Sequence, residues 1–386
     1  MPIVRLVIDQ SNRYALRTTY PTSIYFRVTV VGEAGPEDMP SPPTIVMLID
    51  SSGSMLGDKL EAAKRAALNV IDSLPEGSYV AVYTFSSKVE RLGACHVGDA
   101  ACVDSLKRSI LSIEAEGSTA MYAALIKAIR EFKRVGASSE TPKRLFLLTD
   151  GQPTDVTEHG RYIEIAKELR MLGIELMIIG LGEDYNESLL ALMLEYARGV
   201  LEHLTDPGKI PDVMGKYARE ASAVIVRGAV LKVVTDPRNK VEVYGRVQKI
   251  LSNGVVVEIG DIVEGVPVRV YGKVIVHPQF VVGEAKVAEV RVEGEDRVLA
   301  VGAITVEFTD NVRLVREGSR PEISSEAMAV AGLISGNLEV AKTTLAYVGD
   351  VALKKTISAA VAAGTAGDTK TLTSIKTKTL SGKLGE

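Results

Sequence analysis

The sequence predicts an α/β protein in which a doubly wound, mainly parallel sheet is inserted into an antiparallel β-sandwich, with a C-terminal helical segment and a flexible tail. Two observations predict this fold class. Strand-like and helix-like segments alternate between residues 44 and 222. Shorter runs with strand alternation flank that region at 3–32 and 224–316, separated by Gly, Pro, Asn and Asp. Because the first flank is too short to fold alone, we expect it to pair with strands of the second.

The predicted elements of the inserted region follow in the order that a parallel sheet needs. The strands are predicted at 44–49, 79–85, 89–97, 144–149, 174–181 and 200–204. The first helix is predicted from apolar residues at helical spacing, namely Leu60, Ala63, Ala67, Val70 and Leu74. Further helices are predicted at 102–113, 119–135, 159–172, 187–198 and 208–222. Right-handed crossovers between such strands produce a sheet that helices cover on both faces.

These elements divide the chain into five expected segments. They are the N-terminal strands of the sandwich at 1–42, the α/β domain at 43–222, the rest of the sandwich at 223–320, a helical segment at 321–364 and a tail at 365–386. The tail is rich in Thr and Lys and has few large apolar residues. We therefore expect it to be flexible.

Composition argues against several classes of protein. No apolar run approaches the roughly 18 residues that span a bilayer, and the N-terminus has strand character rather than that of a signal peptide. We therefore expect a cytoplasmic protein that does not bind membranes. The net charge of −4, without a basic block, argues against a nucleic-acid ligand. Sparse Asn and Gln with abundant Val, Glu, Lys and Arg are typical of a thermophile.

Cys95 and Cys102 are the only cysteines. No other cysteine or histidine cluster exists to complete a zinc site around them. Their spacing allows either a local disulfide or two free thiols. We expect free thiols, although intracellular disulfides do occur in hyperthermophiles.

Oxygen-bearing side chains lie at the ends of two predicted strands and at the start of a helix. Asp50, Ser52 and Ser54 follow strand 44–49, Asp150 follows strand 144–149, and Thr119 opens a helix. In open α/β sheets ligands bind at the carboxyl ends of the strands, so we expect these side chains to converge. An all-oxygen set with few charges suits a hard cation such as Mg²⁺, with Mn²⁺ or Ca²⁺ as alternatives.

This pattern resembles the von Willebrand factor type A (VWA) domain and its metal-ion-dependent adhesion site (MIDAS), in an intracellular, thermophilic archaeal type of protein. The family's Asp-x-Ser-x-Ser motif matches Asp50, Ser52 and Ser54, its loop threonine matches Thr119, and its Thr-Asp-Gly motif matches Thr149-Asp150-Gly151. The resemblance covers roughly residues 43 to 222. It implies that the hydroxyls contact the cation directly, that the aspartates act mostly through water, and that a partner's Asp or Glu completes the octahedron. The residues expected to support these ligands are Gly53, Gly117, Thr149, Gly151 and Asp155.

The leading hypothesis for function is a non-enzymatic binding module, an adaptor or scaffold that captures an acidic residue of a protein partner at the metal. The site lacks a general base, and hydroxyl ligands leave a cation electrophilic. Two alternatives stay open: a metal-dependent hydrolase or phosphatase-like enzyme, and a structural subunit with an unused site. A phosphatase of the haloacid-dehalogenase type would need an acid where Ser52 stands. By analogy alone, an AAA+ ATPase is a further candidate partner.

The threonines of the tail suggest a second mode of binding. A phosphate on Thr371, Thr377 or Thr379 would add nearly two negative charges to a mildly basic, extended segment. Phosphothreonine readers such as forkhead-associated domains bind segments of this type. The alternative is a solvated tail or an added edge strand.

Overall fold

A computed structural model of the chain describes residues 2–35, 41–136, 141–294 and 297–382. The last four residues of the predicted tail, 383–386, lie outside the described residues. The strands are β1 (Ile3–Gln10), β2 (Tyr14–Leu16), β3 (Thr22–Glu33), β4 (Thr44–Asp50), β5 (Tyr79–Phe85), β6 (Val89–His96), β7 (Lys143–Thr149), β8 (Ile174–Leu181), β9 (Arg198–Leu204), β10 (Val224–Thr235), β11 (Lys240–Tyr244), β12 (Val247–Leu251), β13 (Gly254–Val263), β14 (Val268–Val276), β15 (Gly283–Gly294) and β16 (Arg297–Thr309).

The α-helices are α1 (Asp58–Ser73), α2 (Ala100–Leu111), α3 (Met121–Val135), α4 (His159–Met171), α5 (Glu187–Tyr196), α6 (Ile210–Ser222), α7 (Val312–Glu317), α8 (Pro321–Ser335), α9 (Leu338–Thr344), α10 (Val351–Ala366) and α11 (Thr369–Leu380). Within the described ranges, no helix is long and apolar enough to cross a membrane.

The chain forms two compact units, and one of them is built from both ends of the chain. That unit comprises Met1–Asp38 and Ile225–Glu386, and the other comprises Met39–Val224. The unit Met39–Val224 contains an α/β fold, and the unit built from both ends of the chain contains the antiparallel sheets. The predicted fold class is confirmed.

The α/β unit is built on one sheet with the strand order β6-β5-β4-β7-β8-β9. Its strands are parallel except for β6, which runs antiparallel to β5. Every residue of β4, β5, β7 and β8 is buried, because α1, α2 and α6 cover one face and α3, α4 and α5 the other. This burial on both faces explains why the strands have continuous apolar runs rather than alternation.

The crossing of the chain from one face of this sheet to the other creates a crevice between β4 and β7. The chain leaves β4 for α1 on one face and leaves β7 for α4 on the other. Neighbouring strands whose connections diverge in this way leave an opening at their carboxyl ends. Asp50 ends β4, and Asp150 directly follows β7.

The other unit is a sandwich of two sheets, with the orders β1-β3-β14-β11 and β12-β13-β10-β15-β16-β2. β3 lies between β1 and β14, so the N-terminal segment forms the interior of one sheet. Phe26 and Val28 of β3 are fully buried against the second sheet. The short β2 pairs parallel to β16, an exception to the predicted antiparallel pairing.

Helices of the C-terminal part pack against the outer face of β14. A cluster of Tyr271, Ala327, Val330 and Leu353 joins α8 and α10 to that strand. The buried Glu326 of α8 forms an ion pair with Arg27 of β3 at 2.7 Å. The short helix α7 lies within the segment predicted as sandwich, where the sequence pattern predicts strands only.

The prediction of a flexible tail is wrong for residues 369–380, which form α11. The Asp368 side chain accepts a hydrogen bond from the backbone N–H of Thr371 at 3.0 Å and so caps the helix. Hydroxyls of Thr377 and Thr379 bond to carbonyls three and four residues earlier, and both side chains are buried. Satisfied threonines therefore take the place of the large apolar residues whose absence suggested disorder.

The expectation of free thiols is also wrong, because Cys95 and Cys102 form a disulfide. Cys95 lies in β6 and Cys102 in the first turn of α2, and their Cα atoms are 5.8 Å apart. The reversal between β6 and α2 brings the two residues together. The redox environment, on which the expectation of free thiols rests, does not contain this geometry.

Candidate metal centre

Asp50 is held by hydrogen bonds to both carboxylate oxygens. The backbone N–H of Ser52 donates to Oδ1 at 2.9 Å, and the Thr149 hydroxyl donates to Oδ2 at 2.6 Å. Burial raises the pKa of the Asp50 carboxyl above its ordinary value, and the hydrogen bonds from Ser52 and Thr149 oppose that rise. The side chain is fully buried, so these donors fix its orientation at the crevice.

Three of the predicted ligands form one chain of hydrogen bonds. The Ser52 and Ser54 hydroxyl oxygens lie 3.1 Å apart, and the Ser54 hydroxyl donates to Asp150 Oδ1 at 2.7 Å. A short 3-10 turn, Gly53–Met55, carries Ser54 toward β7. Asp150 is fully buried and Ser54 is exposed, so the group opens toward solvent on the Ser54 side.

Thr119 approaches Ser54 and Gly151 from a third loop. A Cβ built on Gly151 would lie 3.3 Å from the Thr119 hydroxyl oxygen and 3.9 Å from that of Ser54. Both hydroxyls therefore border Gly151, and a side chain there would crowd the Thr119 hydroxyl. Thr154 secures the loop: its hydroxyl accepts from the Thr119 N–H at 3.1 Å, and its own N–H donates to the Thr119 carbonyl at 2.9 Å.

The other residues expected to support the site connect its loops. The N–H of Gly53 donates to the carbonyl of Gly117 at 3.1 Å, which ties the β4 loop to the Thr119 loop. Gly117 has a φ of +72°, and a Cβ there would also clash with the Ser87 hydroxyl. The Asp155 carboxylate accepts from the N–H groups of Tyr122 and Ala123 at 3.3 and 2.9 Å, so it caps α3 directly after the Thr119 loop.

Lys59 is a charged residue of the site that the sequence analysis missed. Its Nζ lies 2.5 Å from Asp150 Oδ2 and 3.5 Å from the Ser54 carbonyl oxygen. The Asp150 carboxylate thus receives the Ser54 hydroxyl on one oxygen and the Lys59 ammonium on the other. A lysine in the first turn of the helix that follows the Asp-x-Ser-x-Ser motif is the signal that could have identified it.

The donor set fits a hard divalent cation and does not fit zinc. The side chains that meet here supply only hydroxyl and carboxylate oxygens, the ligands that Mg²⁺ and Ca²⁺ prefer. Across the described parts of the chain, no group of three or more His, Cys, Asp or Glu side chains is placed to hold a metal. Any cation at this crevice would therefore depend on the hydroxyls of Ser52, Ser54 and Thr119 as well as on carboxylates.

The three tail threonines lie in a different setting from the one expected of a phosphorylation site. Thr371 is half-buried in the first turn of α11, and Thr377 and Thr379 are buried further along it. An extended, accessible segment would therefore require α11 to unfold.

Comparison with known proteins identifies the α/β unit. Residues 44–215 match the family model of the von Willebrand factor type A domain. A curated relative, the uncharacterized protein sll0103 of Synechocystis sp., is 27% identical over 194 residues, which is 47% of this chain and 42% of that protein. Inter-alpha-trypsin inhibitor heavy chain H1 of Sus scrofa is 27% identical over 146 residues, which is 36% of this chain and 16% of that protein. The chain thus spans less than half the length of these relatives. It contains a VWA domain.

Solved structures share the fold over more of the chain. A von Willebrand factor type A protein from Catenulispora acidiphila aligns with a TM-score of 0.73 and 20% identity, covering 94% of this chain and 88% of that one. The ArnB paralog VWA2 from Sulfolobus acidocaldarius aligns with a TM-score of 0.60 and 21% identity, covering 99% of this chain and 100% of that one. At these identities the likeness concerns the fold alone.

Proposed function

We propose that this protein is a divalent-metal-dependent protein-binding module that captures an acidic residue of a partner at the crevice between β4 and β7. One observation carries the proposal: hydrogen bonds link Ser52, Ser54 and Asp150 at the carboxyl ends of β4 and β7, where Asp50 is also held, and the Ser54 and Thr119 hydroxyls both border Gly151. Ser52, Ser54 and Thr119 would contact the cation, and the two aspartates would act through water. Mg²⁺ is the expected cation, with Mn²⁺ or Ca²⁺ as substitutes.

The chemistry of the site favours capture over catalysis. A cation in this site would have neutral hydroxyls as ligands and only two nearby carboxylates, one of which already pairs with Lys59. Such a cation keeps much of its charge and attracts a further carboxylate. No histidine lies among the residues that form the site, and its two carboxylates are held by the hydrogen bonds and the ion pair described above, so the arrangement offers no evident general base.

Capture of a partner under controlled divalent conditions tests this proposal. The immobilised full chain is exposed to native lysate in Mg²⁺ and in EDTA, beside Ser54→Ala and the matched variant Ser105→Ala. Ser105 is an exposed serine of α2 whose side chain is not among those that form the site. We expect one or more proteins to be retained by wild type and Ser105→Ala in Mg²⁺ only. Equal retention in EDTA and by Ser54→Ala would overturn the metal-dependent function.

A further inference from the structure

Exposed apolar side chains collect at one end of the β-sandwich. They belong to the end of β2 and the loop that follows it, to the loop between β14 and β15, and to the start of α7. The set, which we call the apolar patch, consists of large apolar residues that are each at least 39% exposed: Leu16, Tyr20, Phe280, Val281, Val282 and Val312. Single exposed apolar residues are common on protein surfaces, but three in succession, as at 280–282, indicate a function.

Strand pairing shows that the apolar patch is continuous. Thr18 forms a bridge with Gln279, so the loop after β2 lies beside the loop between β14 and β15. The start of β15 and the end of β2 pair with the end of β16 from opposite sides, so Val282 and Leu16 flank the same strand. The helix α7, which begins at Val312, follows β16 closely and lies against β2.

The two loops of the apolar patch carry a single formal charge. In a chain with 24% charged residues, segments 16–21 and 277–283 contain only Arg17. Its guanidinium donates to both carboxylate oxygens of Asp310, at 2.9 and 2.8 Å, and both side chains are exposed. The patch therefore has an uncharged centre and, at its border, one exposed cation beside one exposed anion.

This distribution of charge favours a second copy of the same surface as the partner. Two copies related by a two-fold axis present the same residues to each other. An uncharged centre meets itself without repulsion, and the border then sets Arg17 of each copy against Asp310 of the other. Homodimer interfaces are likewise apolar and depleted of charge at their centre. A membrane is less favoured, because segments that bind anionic bilayers carry unpaired cations, whereas Arg17 is paired.

The size of the apolar patch meets the requirement for a stable dimer. Tyr20 is 75% exposed and Phe280 is 69% exposed. Since an aromatic side chain has about 150–250 Å² of surface and an aliphatic one somewhat less, the six residues expose roughly 700 Å². Two copies would bury roughly 1,400 Å² in total, which lies within the range of about 1,200–2,000 Å² for specific interfaces.

We infer that this protein forms a two-fold symmetric dimer through the apolar patch, with Arg17 of each copy facing Asp310 of the other. Aromatic residues contribute most to interfaces of this kind, so we expect the exposed Phe280 to anchor the dimer. The inference is independent of the metal centre, because every residue of the patch belongs to the unit built from both ends of the chain.

Analytical ultracentrifugation of the full chain at about 1–100 μM tests the inference, in EDTA so that no metal-dependent contact contributes. The patch variant carries Phe280→Asp and Val281→Asp. The matched control carries Val247→Asp and Ile250→Asp, which place the same charges on exposed apolar residues of β12 in the same unit. We expect wild type and the control to dimerise with a dissociation constant of about 10 μM or lower, and the patch variant to dimerise at least about 100-fold more weakly.

Charge reversal tests the two-fold arrangement without altering the apolar residues. Arg17→Asp and Asp310→Arg each set like charges against one another across the axis, so each variant alone should dimerise at least about fivefold more weakly than wild type. An equimolar mixture of the two variants should regain dimerisation, because opposite charges then face each other. These variants also decide the question if the patch variant fails to fold, as judged by circular dichroism.

Three results would overturn the inference: a monomeric wild type, unchanged dimerisation of the patch variant, or a mixture of the charge variants that does not regain association. If wild type is monomeric and cosediments with vesicles of phosphatidylcholine and phosphatidylserine, while the patch variant does not, the apolar patch binds a membrane instead. A monomeric wild type that ignores the vesicles would assign the patch to a different protein.

Discussion

Lys59 places a positive charge next to the carboxylate that the proposed cation needs. Its Nζ is 2.5 Å from Asp150 Oδ2, and Asp150 is fully buried. Two cations near one carboxylate repel each other, so the ammonium lowers the affinity of the site for a divalent ion. By the same charge balance, it leaves a bound cation less neutralised and more attractive to a partner's carboxylate.

We predict that Lys59→Met binds Mn²⁺ about tenfold more tightly than wild type, because the competing charge is removed while the methylene stem is retained. Isothermal titration calorimetry on chelator-treated protein measures this. Lys127→Met, at an exposed position of α3, is the matched control and should leave the affinity unchanged. Equal or weaker binding by Lys59→Met would show that the ammonium does not compete.

The ligand residues could be predicted from the sequence because their motif fixes both residue type and position at a strand end. Asp50 and Asp150 follow apolar runs that read directly as buried strands. Thr154 could not be assigned, because its role depends on two hydrogen bonds to Thr119, 35 residues earlier. The pairing of Lys59 depends on the direction in which α1 leaves the crevice, and a linear pattern does not contain that direction.

The packing of α3 on β5 depends on one buried carboxylate. Glu131 is 3% exposed and accepts hydrogen bonds from Tyr79, Tyr83, Arg91 and Arg134. Burial alone would raise its pKa, but the hydrogen bonds from Arg134 and Arg91 outweigh burial and hold the pKa of Glu131 well below its ordinary value of 4.5. The network therefore contributes its full stabilisation above pH 4.5; this contribution declines as the pH falls below that value and is lost as the pH falls through the much lower folded-state pKa of Glu131.

We predict that Glu131→Gln lowers the free energy of unfolding of the α/β unit by about 2–3 kcal/mol at pH 7, and by much less at pH 3. Differential scanning calorimetry at the two pH values measures the difference. Glu164→Gln, on the exposed side of α4, should have little effect at either pH. An equal loss at both pH values would mean that Glu131 acts through packing rather than charge.

We expect substitutions of the threonines at the two ends of α11 to have different effects on stability. Thr371 lies in the first turn, where a negative charge interacts favourably with the helix dipole, whereas Thr377 is buried. We predict that Thr371→Glu changes stability by less than about 0.5 kcal/mol, while Thr377→Glu destabilises by about 2 kcal/mol or more. Thermal unfolding followed by circular dichroism measures both. Equal tolerance of both substitutions would mean that α11 does not pack stably on its unit.

At the level of elements, periodic segments were predicted well and short or polar ones were not. The helices predicted at 119–135 and 159–172 are observed at Met121–Val135 and His159–Met171, because their apolar faces must meet the sheet. The strand β2 and the helix α7 are too short to show a period. The helix α11 has a face made of Ser and Thr, which no count of apolar residues detects.

For the whole molecule, the two units have separate hydrophobic cores. The clusters on the two faces of the parallel sheet draw all their residues from the α/β unit, and the clusters of the sandwich and its helices draw theirs from the other unit. The sandwich needs both ends of the chain, because β3 lies between β1 and β14. The alternating runs of the two flanks predict this insertion, but they do not supply the register of those strands.

We predict that a divalent cation raises the unfolding temperature of the α/β unit alone, because a ligand stabilises only the unit that binds it. At 100 times the dissociation constant, the expected stabilisation is about 2.7 kcal/mol. Calorimetric scans in Mg²⁺ and in EDTA measure this, with Ser54→Ala as the control in which the shift should vanish. An equal shift in that variant would place the bound ion elsewhere.

The central claim is that the crevice between β4 and β7 binds a divalent cation, and a calorimetric titration of Mn²⁺ into the full chain tests it most directly. The titration compares wild type with Ser54→Ala and with Ser105→Ala. We predict one ion per chain for wild type and Ser105→Ala, and binding at least tenfold weaker for Ser54→Ala, which loses one hydroxyl ligand. No binding by wild type, or unchanged binding by Ser54→Ala, would contradict the claim.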